Sequence, residues 1–247
     1  MSGSFVIDCF AENRNRYPQE YAIVAIDVIR ATTTATTAIY LGREVYPAAS
    51  ADEAIVLAKS LKDPILVGEM GGHVPYGFDL TNSPVQVMAL SSIPSGYFTN
   101  ARRPLVLVSS SGMPLVTNSV NNVAAYLACL RNYKSVAAHI AGRYEKIAII
   151  GAGTRGEFRE EDQIGCAWVG KQLLKLGYGS EDDRSSELVA KWDGCNPDVI
   201  REGNSAQYLR RSGQMHDLEF ILHHIDDLMV VPKYLEGRFV DAQHLDY

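Results

Sequence analysis

Cysteine is scarce in this chain. There are four in 247 residues, Cys9, Cys129, Cys166 and Cys195, and no two stand as a C-x-x-C pair. They read as reduced thiols rather than a disulfide framework, with Cys129 and Cys166 in apolar, buried stretches. Positive charge is also in short supply: 23 Lys and Arg stand against 29 Asp and Glu, a net charge of −6. That balance argues against nucleic acid as the main partner, because phosphate backbones select basic surfaces. It leaves room for a small anion, which a local arginine and a few backbone N–H groups can hold. No apolar run is long enough to span a bilayer, so no membrane partner is expected. No basic segment followed by an apolar stretch opens the sequence, and a cytoplasmic location is expected. Internal repeats and low-complexity linkers are lacking. What remains is an ordinary charged fraction of 21% and an apolar content of 47%. A chain of this size and composition is expected to form a single α/β domain over 1–247 with a sizeable core.

Strand-like and helix-like segments alternate along the chain. Residues 21–27 run apolar and read as a buried strand, followed by a small-residue helix over 31–41 closed by Gly42. Its threonines are poor helix formers and suggest capping or ligand contact. A short strand at 45–47 precedes a helix at 51–61 with Asp52 and Glu53 in its first turn, where the helix dipole favours them. Strands follow at 65–67, 105–108 and 147–150, with a Gly-, Pro- and Asn-rich loop over 71–84, while 123–129 fits strand or helix and is read as strand. Helices are expected from Met113, over 135–143 and over 160–176. From about 177 the reading becomes mainly helical, with a last strand at 228–231. This alternation predicts a doubly wound α/β sheet with both faces covered.

Short polar clusters close the apolar runs. They are Asp27-Val28-Ile29-Arg30-Ala31-Thr32-Thr33-Thr34, Gly68-Glu69-Met70-Gly71-Gly72, Gly77-Phe78-Asp79-Leu80-Thr81-Asn82-Ser83-Pro84, Ser109-Ser110-Ser111-Gly112 and Gly151-Ala152-Gly153-Thr154-Arg155-Gly156. In open α/β sheets, ligands bind where strands end. Asp27 can bind a metal, act as base or nucleophile, or simply cap the next helix. Arg30, at a helix entry, suits a phosphate or sulfonate, with a surface ion pair as the bland alternative. Glu69 and Asp79 have oxygen-bearing neighbours and fit Mg²⁺, which takes carboxylates, waters and substrate oxygens; Asp79 could instead form an Asx turn. The serine cluster can cradle an anion but lacks the glycine spacing of a nucleophile elbow. Gly151 to Gly156 matches G-x-G-x-x-G, a weak signal alone. The polar, helical sequence after the next helix favours an anion-binding turn over a nicotinamide site. Glu160, Glu161 and Asp162 follow, one of them expected to face the site. Histidines are scattered, and only His73 lies near these clusters.

Taken in order, the Asp27–Thr34, Gly68–Gly72 and Gly77–Pro84 clusters, and Gly151–Thr154 continuing through Glu161-Asp162, resemble the 2-phosphosulfolactate phosphatase family of coenzyme M biosynthesis. Weaker resemblance runs through Leu130-Arg131-Asn132 and 217–232. The resemblance implies a three-layer α/β/α fold with a mostly parallel or mixed sheet. It also implies Mg²⁺-dependent hydrolysis of a phosphate ester on a small sulfonated or carboxylated 2-hydroxy acid. The expected catalytic residues are Asp27, Glu69 and Asp79, with Glu161 and Asp162 joining them as metal ligands. The expected substrate contacts are Arg30, Thr32, Asn82, Ser83, Ser110, Ser111, Gly112, Gly153, Thr154 and Arg155. A homodimer is a possible assembly. Two departures from the family pattern put the substrate in question: Ser110-Ser111-Gly112-Met113 replaces a Thr-Asn-Gly-Thr-like segment, and Met70 stands where an arginine is usual. Asp27 does not match D-x-D-x-T, since Ile29 holds the second position, so attack by water is favoured over an aspartyl-phosphate. Two alternatives stay open, a nicotinamide-dependent oxidoreductase and a non-catalytic anion-binding relative.

Overall fold

A computed structural model describes residues 3–9, 16–70, 73–91, 103–117, 119, 121–153 and 157–245. Ten strands form one mixed sheet: β1 (Ser4–Cys9), β2 (Tyr21–Ile26), β3 (Val45–Ala48), β4 (Ile65–Gly68), β5 (Leu105–Val108), β6 (Ala124–Ala128), β7 (Lys146–Gly151), β8 (Gly179–Ser180), β9 (Pro232–Leu235) and β10 (Arg238–Asp241). Nine α-helices accompany them among the described residues: α1 (Ala31–Tyr40), α2 (Ala51–Ala58), α3 (Pro84–Ala89), α4 (Gly112–Thr117), α5 (Tyr133–Ile140), α6 (Glu160–Lys175), α7 (Asp183–Trp192), α8 (Asn204–Arg211) and α9 (Met215–His223). The strand order is β4-β5-β3-β10-β9-β6-β2-β7-β1-β8. β4, β5 and β3 pair in parallel, as do β6, β2, β7, β1 and β8. The β9–β10 hairpin joins the two blocks by antiparallel pairs, Phe239 with Val45 and Tyr126 with Lys233. Helices cover both faces, giving three α/β/α layers.

Two large apolar clusters form the core, one on each side of the sheet, and a small third cluster of Ala48, Ala54, Val106 and Val108 packs at α2. Phe5, Ile7, Val24 and Ile26 turn outward to α5, α6, α7 and α9. Ile23, Ala25, Val67, Leu107 and Leu127 turn the other way, onto α1, α3 and α4. α1 is buried from Ala31 to Ile39 and carries only alanine and threonine as far as Ala38. Three of its five threonines satisfy their hydroxyls on the backbone behind them: Thr32 Oγ1 donates to Asp27 O at 2.8 Å, Thr33 to Val28 O at 2.8 Å and Thr37 to Thr33 O at 2.7 Å. Arg131, buried, donates from Nη1 to Thr37 Oγ1 and grips Asp227 through Nε and Nη2. It ties α1 to the chain that leads into the hairpin.

The expected strand at 228–231 is not there. The pairing segments are β9 and β10, joined by Glu236 and Gly237 at φ 49° and 85°. Residues 228–231 instead approach the hairpin as extended chain, with Val231 N–H donating to Asp241 Oδ1. β1 and β8 were not expected from the sequence either.

Candidate active site

Five strands separate β4 from β2 in the order of the sheet. In a flat sheet that is about 29 Å, at about 4.8 Å per strand. Yet Arg30, after β2, donates from Nη2 to Glu69 Oε2, after β4, at 3.2 Å. The sheet therefore curls around α1, and the carboxyl ends of its two blocks meet. A cavity of about 600 Å³ opens there, and Asp27, Arg30, Glu69, Asn82, Ser110 and Ser111 all line it.

Asp27 is 8% exposed. Ala31 N–H donates to its Oδ1 at 3.3 Å, and the Gly112 backbone N–H donates to the same carboxylate. Gly112 is required by close approach, since a Cβ there would lie 2.5 Å from Asp27 Oδ2. Burial pushes the Asp27 carboxyl up to about 6, with the Glu161 and Glu69 charges adding to the rise. Burial likewise raises Asp162, helped by the Asp27 and Glu161 charges. Asp162 is held by Val28 N–H at 2.8 Å and by the Gly153 backbone N–H. Burial raises Glu161 as well, against a hydrogen bond with Ser205 that favours its charged form.

Arg30 is the buried cation of the site, 3% exposed. Its Nη1 donates to Asp217 Oδ2 at 2.6 Å. Asp217, fully buried on α9, accepts from Ser83 Oγ at 2.5 Å with its other oxygen. Two carboxylates thus share one guanidinium, while Asp27, Glu161 and Asp162 crowd nearby. The site carries more buried negative charge than the described cation offsets. Among the described residues no three His, Cys, Asp or Glu side chains gather as a metal cage.

The structure separates the sequence candidates into two groups. Those lining the cavity are named above; Asn82 is 4% exposed, and its Oδ1 has no hydrogen-bond partner among the described residues. Others act behind the wall. Thr32 closes the turn under Asp27, Ser83 caps α3 and holds Asp217, Gly112 and Gly153 give backbone N–H groups to Asp27 and Asp162, and Glu161 and Asp162 sit just beneath the cavity. Thr32, Ser83, Gly112 and Gly153, expected as substrate contacts, bond the groups that line the site or lie beneath it. Asp79 is not brought in: it is exposed, and its Oδ2 accepts from Leu66 N–H at 2.9 Å on the edge strand β4. Thr154 and Arg155, with Gly71, Gly72 and Gly156, lie outside the described residues.

Sequence reasoning passed over the opposite wall. Asn204, Gln207, Tyr208 and Arg211 of α8 face the cavity, with Arg159 beside them. Arg159 pairs with Glu157 at 2.6 Å. The α8 residues fall at i, i+3, i+4 and i+7, a pattern that in sequence reads as a solvated helix face. Asp217 carried no local signal, being one acid among many in a helical stretch.

The glycine turn after β7 is a poor dinucleotide cradle. Gly153 gives its N–H to Asp162, and the first turn of α6 carries Glu160, Glu161 and Asp162 where a pyrophosphate would need positive potential.

A family model described as 2-phosphosulpholactate phosphatase matches residues 9–237. A protein of Deinococcus radiodurans called probable 2-phosphosulfolactate phosphatase is 31% identical, over 94% of this chain and 95% of its own. One from Synechococcus sp. (strain CC9605), with the same description, is 32% identical over 90% of this chain and 92% of its own. A Methanothermobacter thermautotrophicus protein called 2-phosphosulfolactate phosphatase is 29% identical over 87% of each chain.

Proposed function

The chain belongs to the 2-phosphosulpholactate phosphatase family, and from that premise we propose that it hydrolyses the phosphate ester of 2-phosphosulfolactate, with Mg²⁺, in the cavity between Asp27 and α8. The observation that carries this reading is the cluster of buried carboxylates set against one guanidinium at a polar cavity. Each carboxyl in the Asp27, Glu161 and Asp162 group is raised by burial, and the charges of its neighbours raise Asp27 and Asp162 further. A divalent cation relieves such crowding. Mg²⁺ takes one or two carboxylates together with waters and substrate oxygens, so it needs no preformed cage. Asp27 and Glu161 are the residues that would hold it, with Asp162 fixed behind them by backbone N–H groups. When bound there, Mg²⁺ supplies positive charge against the phosphoryl group and gathers water and phosphate oxygens together.

The chain's own groups supply the rest. Phosphate esters hydrolyse slowly unaided, so catalysis rests on positioning and charge neutralisation. Water attacks phosphorus, the P–O ester bond breaks, and the leaving oxygen takes a proton. Asp27, which lines the cavity wall, is the carboxylate placed to accept a hydrogen bond from the attacking water. Arg30, fixed by Asp217, presents its remaining N–H groups to a phosphate oxygen. Ser110, Ser111 and Asn82 offer neutral hydrogen bonds at the same wall.

The test is release of inorganic phosphate from 2-phosphosulfolactate by EDTA-treated protein, before and after Mg²⁺ is restored, beside a fluorescence titration with NADH and NADPH. Release on adding Mg²⁺ is expected, with no saturable nucleotide binding. Micromolar NADH or NADPH binding without phosphate release would promote the oxidoreductase reading instead. Tight binding of the ester without turnover would make the chain a non-catalytic relative.

A further inference from the structure

Resting on that reading of the cavity, we propose that the polar stripe of α8, Asn204, Gln207, Tyr208 and Arg211, binds the acid group of the substrate that is not transferred, and that Arg211 supplies its charge. α8 buries Ala206 and Leu209, and these four polar residues line the cavity together with Ser205 and one edge of Leu209. From Asn204 to Arg211 the stripe covers seven helical rises, about 10 Å at 1.5 Å per residue. Its ends are placed by contacts. Asn204 Nδ2 donates to Glu157 Oε2 at 3.1 Å, and Ser205 bonds Glu161. Tyr208, one turn on, lies within the fields of Glu69 and Arg30. The stripe therefore starts beside the carboxylate cluster and runs past the Arg30–Glu69 pair to Arg211.

Charge decides the assignment. The scissile phosphate is placed at the end of the cavity where Asp27 and the buried Arg30 guanidinium line the wall together. Arg30 already answers Asp217 and Glu69, and Arg159 answers Glu157. Among the described residues that line the cavity, Arg211 is the guanidinium with no ion pair. Arg211, the last of the four along the stripe, is the charge left for the sulfonate. Amide and phenol groups along the way donate hydrogen bonds to acid oxygens without adding charge. The bland alternative is that Arg211, in the last turn of a helix, only complements the helix dipole.

The experiment compares two esters on wild type, Arg211→Gln and Arg211→Lys. One is 2-phosphosulfolactate. The other is 2-phospholactate, the same ester and carboxylate with hydrogen in place of the sulfonate. Where the second is turned over too slowly to read, its inhibition constant as a competitor replaces kcat/KM. Arg211→Gln is expected to lose about 10-fold or more in kcat/KM for 2-phosphosulfolactate, mostly through KM, and less than about 2-fold for 2-phospholactate. Arg211→Lys should recover part of the loss. Equal losses on both esters, or none on either, in protein whose melting temperature is unchanged would overturn the assignment of α8. A wild type that cleaves neither ester would overturn the reading of the cavity itself, and the assignment falls with it.

Discussion

Asp217 governs how Arg30 is presented. It is fully buried, bonded to Arg30 at 2.6 Å and to Ser83 at 2.5 Å. Breaking one partner of a buried pair costs about 3–5 kcal/mol. Asp217→Asn is expected to lower stability by a few kcal/mol in chemical denaturation. In the protein that remains folded it should raise KM for the ester, leaving the Mg²⁺ concentration for half-maximal rate unchanged. An altered Mg²⁺ requirement with an unchanged KM would place Asp217 in the metal site instead. Asp79 gives the opposite case. Sequence offered it as a ligand because a lone acid in a glycine loop has the right oxygens, and loop composition carries no direction. The fold aims it at Leu66 N–H on an edge strand. Asp79→Asn should cost about 1 kcal/mol of stability and leave the Mg²⁺ titration of activity where it was. A rise in the Mg²⁺ requirement would return Asp79 to the site.

Elements differ in how openly the sequence declares them. β2, β4, β5 and β7 are legible because each is an apolar run stopped by a polar cluster, and the clusters at those stops build most of the site. The β9–β10 hairpin was hidden because Pro232–Leu235 and Arg238–Asp241 mix polar and apolar residues, while the more apolar 228–231 beside them pairs with no strand. α8 was hidden for a different reason: a polar face lining a cavity has the same spacing as one facing water. α1 was legible as a helix, but nothing local shows that a curled sheet surrounds its threonines. α6 carries a test of this packing. A Cβ on Gly165 would lie 2.9 Å from Ile26 Cγ2 on β2. Overpacking of this kind costs about 1–3 kcal/mol. Gly165→Ala should lower the free energy of unfolding by that amount, read as a lower denaturation midpoint with no change in the slope. Full stability would mean that α6 stands further from the sheet than described.

At the scale of the molecule, the acidic core of the site sets how stability follows pH. The Asp27 carboxyl rises from an ordinary value of 3.8 to about 6 in the folded protein. The folded state then holds a proton that the unfolded state has released, so this contribution to stability is present below about pH 4. It is lost as pH climbs through about 6. Two pH units correspond to about 2–3 kcal/mol. Metal-free protein should lose melting temperature between about pH 4 and 7 more steeply than Asp27→Asn, and Mg²⁺ should raise it at pH 7 in the wild type. Parallel curves for the two proteins, with no Mg²⁺ shift, would remove the cation from the account.

The most direct measurement is the rate of phosphate release from 2-phosphosulfolactate at pH 7 as Mg²⁺ is titrated into metal-free wild type and into Asp27→Asn. The wild-type rate should climb from background to a plateau and return to background with EDTA. In Asp27→Asn the plateau should fall by about 10³-fold, since the acceptor for the attacking water and a ligand go together. Phosphate release that ignores Mg²⁺, or that survives in Asp27→Asn at the wild-type rate, would contradict the placement of the reaction at Asp27.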